Sequence, residues 1–190
     1  MARLRTFLAV DLSKNQKDRC VKLQELLAKS GSSVNWVDRN HFHITLLFLG
    51  EIEYLEVATV CQVVREVTSD FPSFPIHLHG LNAFPAIDNP RTLFVSLSSG
   101  MEELSLLYRK IEEKMLEAVR YRREVRPYLP HVTLGRLKEK NTPELSDLVT
   151  KNADWDCGEH RVLDVQVLTS QLREEGPIYT LMGRGQLKGK

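Results

Sequence analysis

Two four-residue stretches of this chain carry the side chains best suited to chemistry: His43-Ile44-Thr45-Leu46 and His131-Val132-Thr133-Leu134. In each, polar and apolar residues alternate, the period of a β-strand with one buried face. Histidine and threonine then share a face, ~6.5–7 Å apart along the strand. Ile44 and Leu46, or Val132 and Leu134, lie behind them. Each motif therefore presents an imidazole beside a hydroxyl on a core-backed support. Imidazole, with an ordinary pKa of about 6.5, gives or takes a proton near neutrality. Two such pairs facing one another would bracket a small anion with an acid, a base and two hydroxyl donors. With six histidines and ten threonines in 190 residues, chance predicts about 0.3 His-x-Thr occurrences. Two copies, each followed by Leu and each in an alternating strand, stand apart from that background.

The elements that must position these motifs follow from periodicity. Thr6 to Leu12 reads as a strand and Ser13 as the N-cap of a helix carrying Cys20, Leu23 and Leu27, ending near Gly31. Val34-Asn35-Trp36-Val37 is a short extended segment leading to the first motif, whose strand runs on through Leu49 to Gly50. A second helix is expected from about Tyr54 to Thr68 on Val57, Val60, Val64 and Val67, with Phe71 to Pro75 as a connector. Ile76 to His79 and Leu93 to Leu97 are strands, separated by an exposed loop from Pro85 to Arg91. Leu104, Leu107, Tyr108, Ile111, Met115 and Val119 predict a helix from Met101 to Arg122. Pro127 and Pro130 stop any helix before the second motif. Thr142-Pro143 opens a short helix through Leu148 and Val149. Val162 to Ser170 and Tyr179 to Met182 close the chain as strands around a turn at Glu175-Gly176-Pro177, and Lys188-Gly189-Lys190 reads as a frayed tail. Strands buried on both faces would be solid apolar runs, whereas the motif strands alternate. The expected fold is therefore α+β: two similar lobes in one domain spanning the chain, one per half. Each lobe is an antiparallel sheet with helices on its outer face, and the two enclose a central cleft.

Composition narrows the function classes. The apolar share of 42% and charged share of 27% are those of a globular protein, and the net charge of +1 provides no field for wrapping long nucleic acid. A nucleotide or the end of an RNA needs only a local site. Cys20, Cys61 and Cys157 are odd in number and widely spaced, which favours reduced core thiols over disulfides or a zinc site. The N-terminal residues lack a signal-peptide pattern, and no apolar run approaches the ~20 residues that cross a bilayer. A soluble, cytoplasmic location is expected.

The paired motifs are similar to the His-x-Thr-x pairs of the 2H phosphoesterase superfamily. More closely, the chain resembles the RNA 2′,3′-cyclic phosphodiesterases formerly described as 2′-5′ RNA ligases. The likeness runs through Leu4 to Val10, Trp36-Val37, His43 to Glu51, Pro130 to Arg136, Val167 to Ser170 and Gly176 to Tyr179. Tyr128-Leu129, inserted between Arg126-Pro127 and Pro130-His131, departs from the family pattern. The resemblance implies two pseudo-symmetric lobes around a cleft. It also implies hydrolysis of a terminal ribose 2′,3′-cyclic phosphate to a 2′-phosphomonoester, with no metal and no cofactor. By that analogy His43 is the proton donor and His131 the proton acceptor, while Thr45 and Thr133 bind non-bridging phosphate oxygens. The near-identity of the two motifs does not distinguish donor from acceptor. The implied partners are RNA 3′ ends or nucleotides bearing a cyclic phosphate, without membrane association, and the expected form is a monomer.

Arg136 matches a family position facing phosphate or base. On an ideal strand it has the wrong parity relative to His131, so it reaches the cleft only if Gly135 marks a bulge. His77 and His79 share a strand face but lack a third metal ligand in the sequence pattern. Phe7, Phe42, Phe48 and Trp36 read as core before stacking surfaces. Arg120-Arg122-Arg123 and Lys138-Lys140 read as solvated charges able to guide an RNA end. Two other readings remain: a 2H phosphodiesterase acting on another nucleotide or a 2′-5′ linkage, and a non-catalytic module gripping a nucleotide or RNA end. The survival of both histidines argues against the latter.

Overall fold

Alternating apolar residues build a curled antiparallel sheet, and helices lay their apolar stripes over it, the last of those described packing against the first. The structure, a computed structural model, describes residues 3–139, 142–173 and 176–189. The elements in order are β1 (Arg3–Asp11), α1 (Lys14–Ala28), β2 (Val34–Trp36), β3 (His43–Glu53), α2 (Glu56–Ser69), β4 (Phe74–Phe84) and β5 (Thr92–Ser99). They continue with α3 (Met101–Ala118), β6 (Val132–Leu137), α4 (Pro143–Lys151), β7 (Asp156–Val162), β8 (Asp164–Arg173) and β9 (Gly176–Gln186). The sheet runs β7-β4-β5-β6-β3-β1-β8-β9, with β2 on β6. It comprises two four-stranded lobes, β3-β1-β8-β9 and β6-β5-β4-β7, joined at the centre by one residue pair, Ile44 with Val132. Beyond that pair β2 takes over the edge of β6, at Trp36–Gly135 and onward, and β3 parts from it. That parting opens the cleft.

The lobes are not successive halves of the chain. The β8–β9 hairpin returns from the C-terminal end to cover the outer edge of β1, pairing Phe7 with Leu168 and Arg5 with Ser170. An uncovered β1 would expose a row of unpaired backbone groups.

Helix α1 starts where expected, with a reciprocal capping box between Ser13 and Gln16. Its buried stripe of Cys20, Leu23 and Leu27 also holds Gln24, whose side-chain nitrogen donates to the carbonyls of Val37 (2.9 Å) and Leu134 (2.8 Å). A buried amide is costly unless bonded, and these two bonds tie α1 to the strand that carries the second motif. Helix α2 forms despite its valines because Val57, Val60 and Val64 are buried, so packing outweighs intrinsic propensity.

Several boundaries differ from the sequence reading, among them the end of β4, which runs past His79 to Phe84, and β9, which begins at Gly176 inside the expected turn and continues to Gln186. Helix α3 ends at Ala118, not Arg122, because the chain turns back so that Arg123 reaches the buried Glu112 carboxylate (2.8 Å), which Tyr108 Oη also donates to (2.6 Å). Strand β4 begins at Phe74, inside the expected connector, where Phe74 pairs with Val162. Strand β7 was not anticipated, since only Cys157 and Val162 of Asp156–Val162 are buried and no regular alternation marks it. The C-terminal segment is not frayed at residues 188–189: Lys188 and Gly189 donate backbone bonds to Thr68 and Phe71, and Leu187 is buried. Glu175, part of the expected turn, and Lys140 and Lys190 lie outside the described residues. All three cysteines are unpaired and buried, with the Sγ atoms of Cys20 and Cys157 3.8 Å apart. Among the described residues no helix is long and apolar enough to cross a membrane.

Candidate active site

The Ile44–Val132 pair decides the geometry. Both side chains are fully buried, so their neighbours His43, Thr45, His131 and Thr133 point to the opposite, cleft face. Antiparallel pairing about that pair sets His43 across the seam from Thr133, and Thr45 across from His131. Two imidazoles and two hydroxyls thus form a quadrilateral with a local two-fold relation.

Both imidazoles are oriented from behind. His43 Nδ1 lies 2.7 Å from the His41 carbonyl, and His131 Nδ1 lies 2.8 Å from the Leu129 carbonyl. A carbonyl only accepts, so Nδ1 carries the hydrogen in both rings and Nε2 is the titrating atom presented to the cleft. His43 Nε2 is 3.1 Å from Thr45 Oγ1. Each ring also has aromatic walls. Phe7 (5.2 Å between centroids) and Tyr179 (5.7 Å) flank His43, while Phe84 (5.3 Å) and Phe94 (5.2 Å) flank His131. Phe7 belongs with Ala9 and Leu168 to a small apolar cluster separate from the main core, with Tyr179 packed on it. Of the other aromatics, Phe42 is core and Phe48 is exposed beneath the Arg5 guanidinium.

Burial holds both imidazoles below the ordinary histidine pKa, because a charged ring loses hydration. The carbonyl acceptors of His41 and Leu129 oppose this by stabilising the N–H. The remaining charges differ. His43 feels Asp11, which raises its pKa, together with His41 and Lys17, which lower it; His131 feels Arg136, which lowers its pKa further. The net shift in both rings favours the neutral imidazole in the unliganded protein.

Arg136 reaches the cleft through the expected bulge. On β5, Phe94 pairs with Thr133 and Leu93 with Gly135, leaving Leu134 unopposed. Leu134 and Gly135 are both buried and Arg136 is exposed, so the parity is reset in favour of the His131 face. Gly135 is required there, since an added Cβ would lie 2.7 Å from Val34 Cγ1 and 2.8 Å from Trp36 Cε3. The first motif repeats the device. Leu8 pairs with Leu47 and Ala9 with Thr45, leaving Leu46 unopposed, and Phe48 takes the place that Arg136 occupies in the second. The two-fold relation therefore breaks at the third cleft-facing position, phenyl in one lobe and guanidinium in the other.

The departure at Tyr128-Leu129 has a physical role. Tyr128 stacks on Tyr108 (4.5 Å, 10°), and the next residue, Leu129, supplies the carbonyl that fixes the His131 ring. His77 is taken up by Asp156 (2.8 Å) and contacts the His79 ring; among the described residues no group of three or more His, Cys, Asp or Glu could hold a metal ion. Of the basic runs, Arg123 is paired to Glu112, whereas Arg120, Arg122 and Lys138 are exposed. The sequence reading missed the histidine walls Phe84, Phe94 and Tyr179. Phe94 and Tyr179 carry a signal only as aromatics in alternating strands; Phe84 ends β4 beyond the anticipated strand.

The comparisons with known proteins agree with this geometry. The family model of the 2′-5′ RNA ligase superfamily matches residues 7–173. A protein of Archaeoglobus fulgidus named RNA 2′,3′-cyclic phosphodiesterase is 36% identical over 177 residues, covering 93% of this chain and 96% of its own. A protein of the same name from Methanothermobacter thermautotrophicus is 30% identical, covering 95% and 97%. The crystal structure of a Thermus thermophilus protein superposes with a TM-score of 0.84 at 25% identity, covering 98% of this chain and all of that one. Escherichia coli LigT in complex with 3′-AMP shares the fold, with a TM-score of 0.78 at 19% identity over 98% and 99% of the two chains. With its two His-x-Thr pairs joined across one seam, the chain belongs to the 2′-5′ RNA ligase superfamily of 2H phosphoesterases.

Proposed function

We propose that the protein hydrolyses the 2′,3′-cyclic phosphate of RNA 3′ ends, or of nucleotides, to a 2′-phosphomonoester. The observation that carries this reading is the single Ile44–Val132 pair, which sets His43 across the seam from Thr133 and Thr45 across from His131 on one face of the sheet. The relatives named RNA 2′,3′-cyclic phosphodiesterase support it.

His131 Nε2 accepts a proton from the attacking water as the new P–O bond forms. The bond between phosphorus and the 3′ oxygen breaks, its electrons pass to that oxygen, and His43 Nε2–H protonates it. One water is added in total, and the phosphate stays on the 2′ oxygen. The charge asymmetry lies on the His131 side: Arg136 lowers its pKa and favours the free base, whereas the pull of Asp11 on His43 is opposed by Lys17, which is ion-paired to it (2.7 Å). The Thr45 and Thr133 hydroxyls donate to the non-bridging oxygens, and Arg136 offsets their charge. This chain's groups supply acid, base and anion stabilisation without a metal or cofactor. Residues 1–190 act in this scheme as one domain of two lobes, a cytoplasmic monomer.

His43→Ala and His131→Ala test the scheme. Each is expected to lower kcat about 10²–10⁴-fold while thermal denaturation shows a retained fold. Turnover at the wild-type rate by either variant refutes it.

A further inference from the structure

A cavity of about 310 Å³ opens beside the first motif, lined by Trp36, Asp38, His41, Arg136, Arg173 and Tyr179 among others. Its volume lies at the low end of small-ligand sites, which span about 300–1,000 Å³, so it accommodates one compact group. Its chemistry has two parts. Arg136 and Arg173 contribute two guanidiniums that no carboxylate engages among the described residues, and Asp38 is occupied by the backbone N–H of Asn40 (2.8 Å). Trp36, His41 and Tyr179 contribute ring surface, with the last two rings 4.5 Å apart and inclined at 50°.

The cavity is joined to the phosphate site. Tyr179 lines it and also meets the His43 ring edge-on at 5.7 Å. His41 also lines it, with its ring 4.5 Å from that of Tyr179, and its carbonyl accepts from His43 Nδ1. Arg136 lines the cavity and, through the Leu134–Gly135 bulge, shares the face of His131 and Thr133, so it borders both spaces. A ligand that fills both must carry a second anion and a second flat ring near the reacting phosphate.

We propose that this cavity holds the nucleotide preceding the cyclic phosphate in an RNA 3′ end, its phosphodiester between Arg136 and Arg173 and its base against Trp36, His41 and Tyr179. The inference rests on the hydrolytic reading above and specifies its substrate class. Guanidinium forks suit phosphate oxygens, and ring stacking accepts any base because each offers a π-face. The protein is thereby a reader of RNA ends with little sequence preference, and a cyclic mononucleotide leaves the cavity unfilled.

Calorimetry with reaction products separates affinity from turnover. Adenosine 2′-phosphate, adenosine 2′,5′-bisphosphate and the adenylyl dinucleotide ending in a 2′-phosphate are titrated into the wild-type chain. The dinucleotide is expected to bind about tenfold or more tightly than the mononucleotide, as one stacked base provides, with the bisphosphate between them. Arg173→Ala and Trp36→Ala each shrink the gap between dinucleotide and mononucleotide. Trp36→Phe, which keeps a ring where Trp36 also packs on β6, retains most of it. Equal affinity for dinucleotide and mononucleotide overturns the proposal, as does a gap unchanged in Arg173→Ala or fully reproduced by the bisphosphate. Hydrolysis of the adenylyl dinucleotide ending in a 2′,3′-cyclic phosphate is assayed separately. Its absence refutes the activity, while the affinities still decide the cavity.

Discussion

Replacing Gly135 with alanine tests how the fold aims Arg136. Gly135 has no positive φ, so alanine suffers no backbone penalty. The cost is steric, because the new Cβ would stand 2.7 Å from Val34 Cγ1 and 2.8 Å from Trp36 Cε3. These neighbours belong to β2, held by the Val34–Leu137, Asn35–Arg136 and Trp36–Gly135 pairings. Relief requires β2 to move outward or the Leu134–Gly135 bulge to rearrange. Overpacking of this kind costs about 1–3 kcal/mol, and at about 2–4 °C per kcal/mol for a chain of this size Tm falls by roughly 2–12 °C. The functional effect is separable. If the bulge shifts, Arg136 leaves the face of His131 and Thr133, and one charge-assisted bond to phosphate is lost. Such a bond is worth about 1.5–3 kcal/mol, or roughly 10- to 100-fold in KM for a cyclic-phosphate substrate. Thermal denaturation and steady-state kinetics on Gly135→Ala, Arg136→Ala and the double variant provide the test. The single variants should raise KM comparably and the double variant little further, since both remove one interaction. A Gly135→Ala protein with wild-type KM, or fully additive effects, refutes the bulge as the device that aims Arg136.

Three further outcomes follow from the site. Thr45→Val and Thr133→Val keep side-chain shape but lose a donor to the phosphate, and each should lower kcat about 100-fold or more; a change confined to KM contradicts a transition-state role. Burial depresses the pKa of His43 and His131 below the unfolded value near 6.5, so the unfolded chain takes up protons that the folded one refuses. Stability should fall as pH drops below about 6.5 and level off beneath the folded pKa values, while a His43→Gln/His131→Gln variant shows a shallower loss by chemical denaturation; an identical loss removes these rings from the account. Tyr128 Oη is buried without a partner among the described residues, so Tyr128→Phe should hold or raise Tm. Tyr128→Ala, which removes the stack on Tyr108, should lower kcat more than it raises KM, because the Leu129 carbonyl no longer fixes His131.

The motif strands and most helices were readable from sequence because each carries its own periodicity. Ser13 as N-cap, the Cys20-Leu23-Leu27 stripe and the Thr142-Pro143 helix start are local signals, and the structure has them. What lay beyond reach depends on distant partners. Nothing within Asp156–Val162 marks β7, which exists because β4 needs a neighbour. The turn that ends α3 at Ala118 is set by Glu112 calling Arg123 back from eleven residues away. The two His-x-Thr pairs were evident as a repeat, but their meeting across Ile44–Val132 depends on the register of strands 88 residues apart (132 − 44 = 88). The repeat of the bulge was likewise hidden. Leu46-Leu47-Phe48 and Leu134-Gly135-Arg136 look unlike in sequence, yet both reset strand parity and deliver a third side chain to the cleft. The symmetry-breaking Phe48/Arg136 pair emerges only from that comparison.

The central claim is that His43 and His131 open a ribose 2′,3′-cyclic phosphate in one direction. Phosphorus NMR of a short oligonucleotide ending in a 2′,3′-cyclic phosphate, incubated with the protein and an excess of chelator, reads that direction. The account predicts conversion of the cyclic resonance into that of a terminal 2′-phosphomonoester alone, at a rate unaffected by the chelator. A 3′-phosphate product, a mixture of the two, or conversion that stops when metal is removed would contradict it.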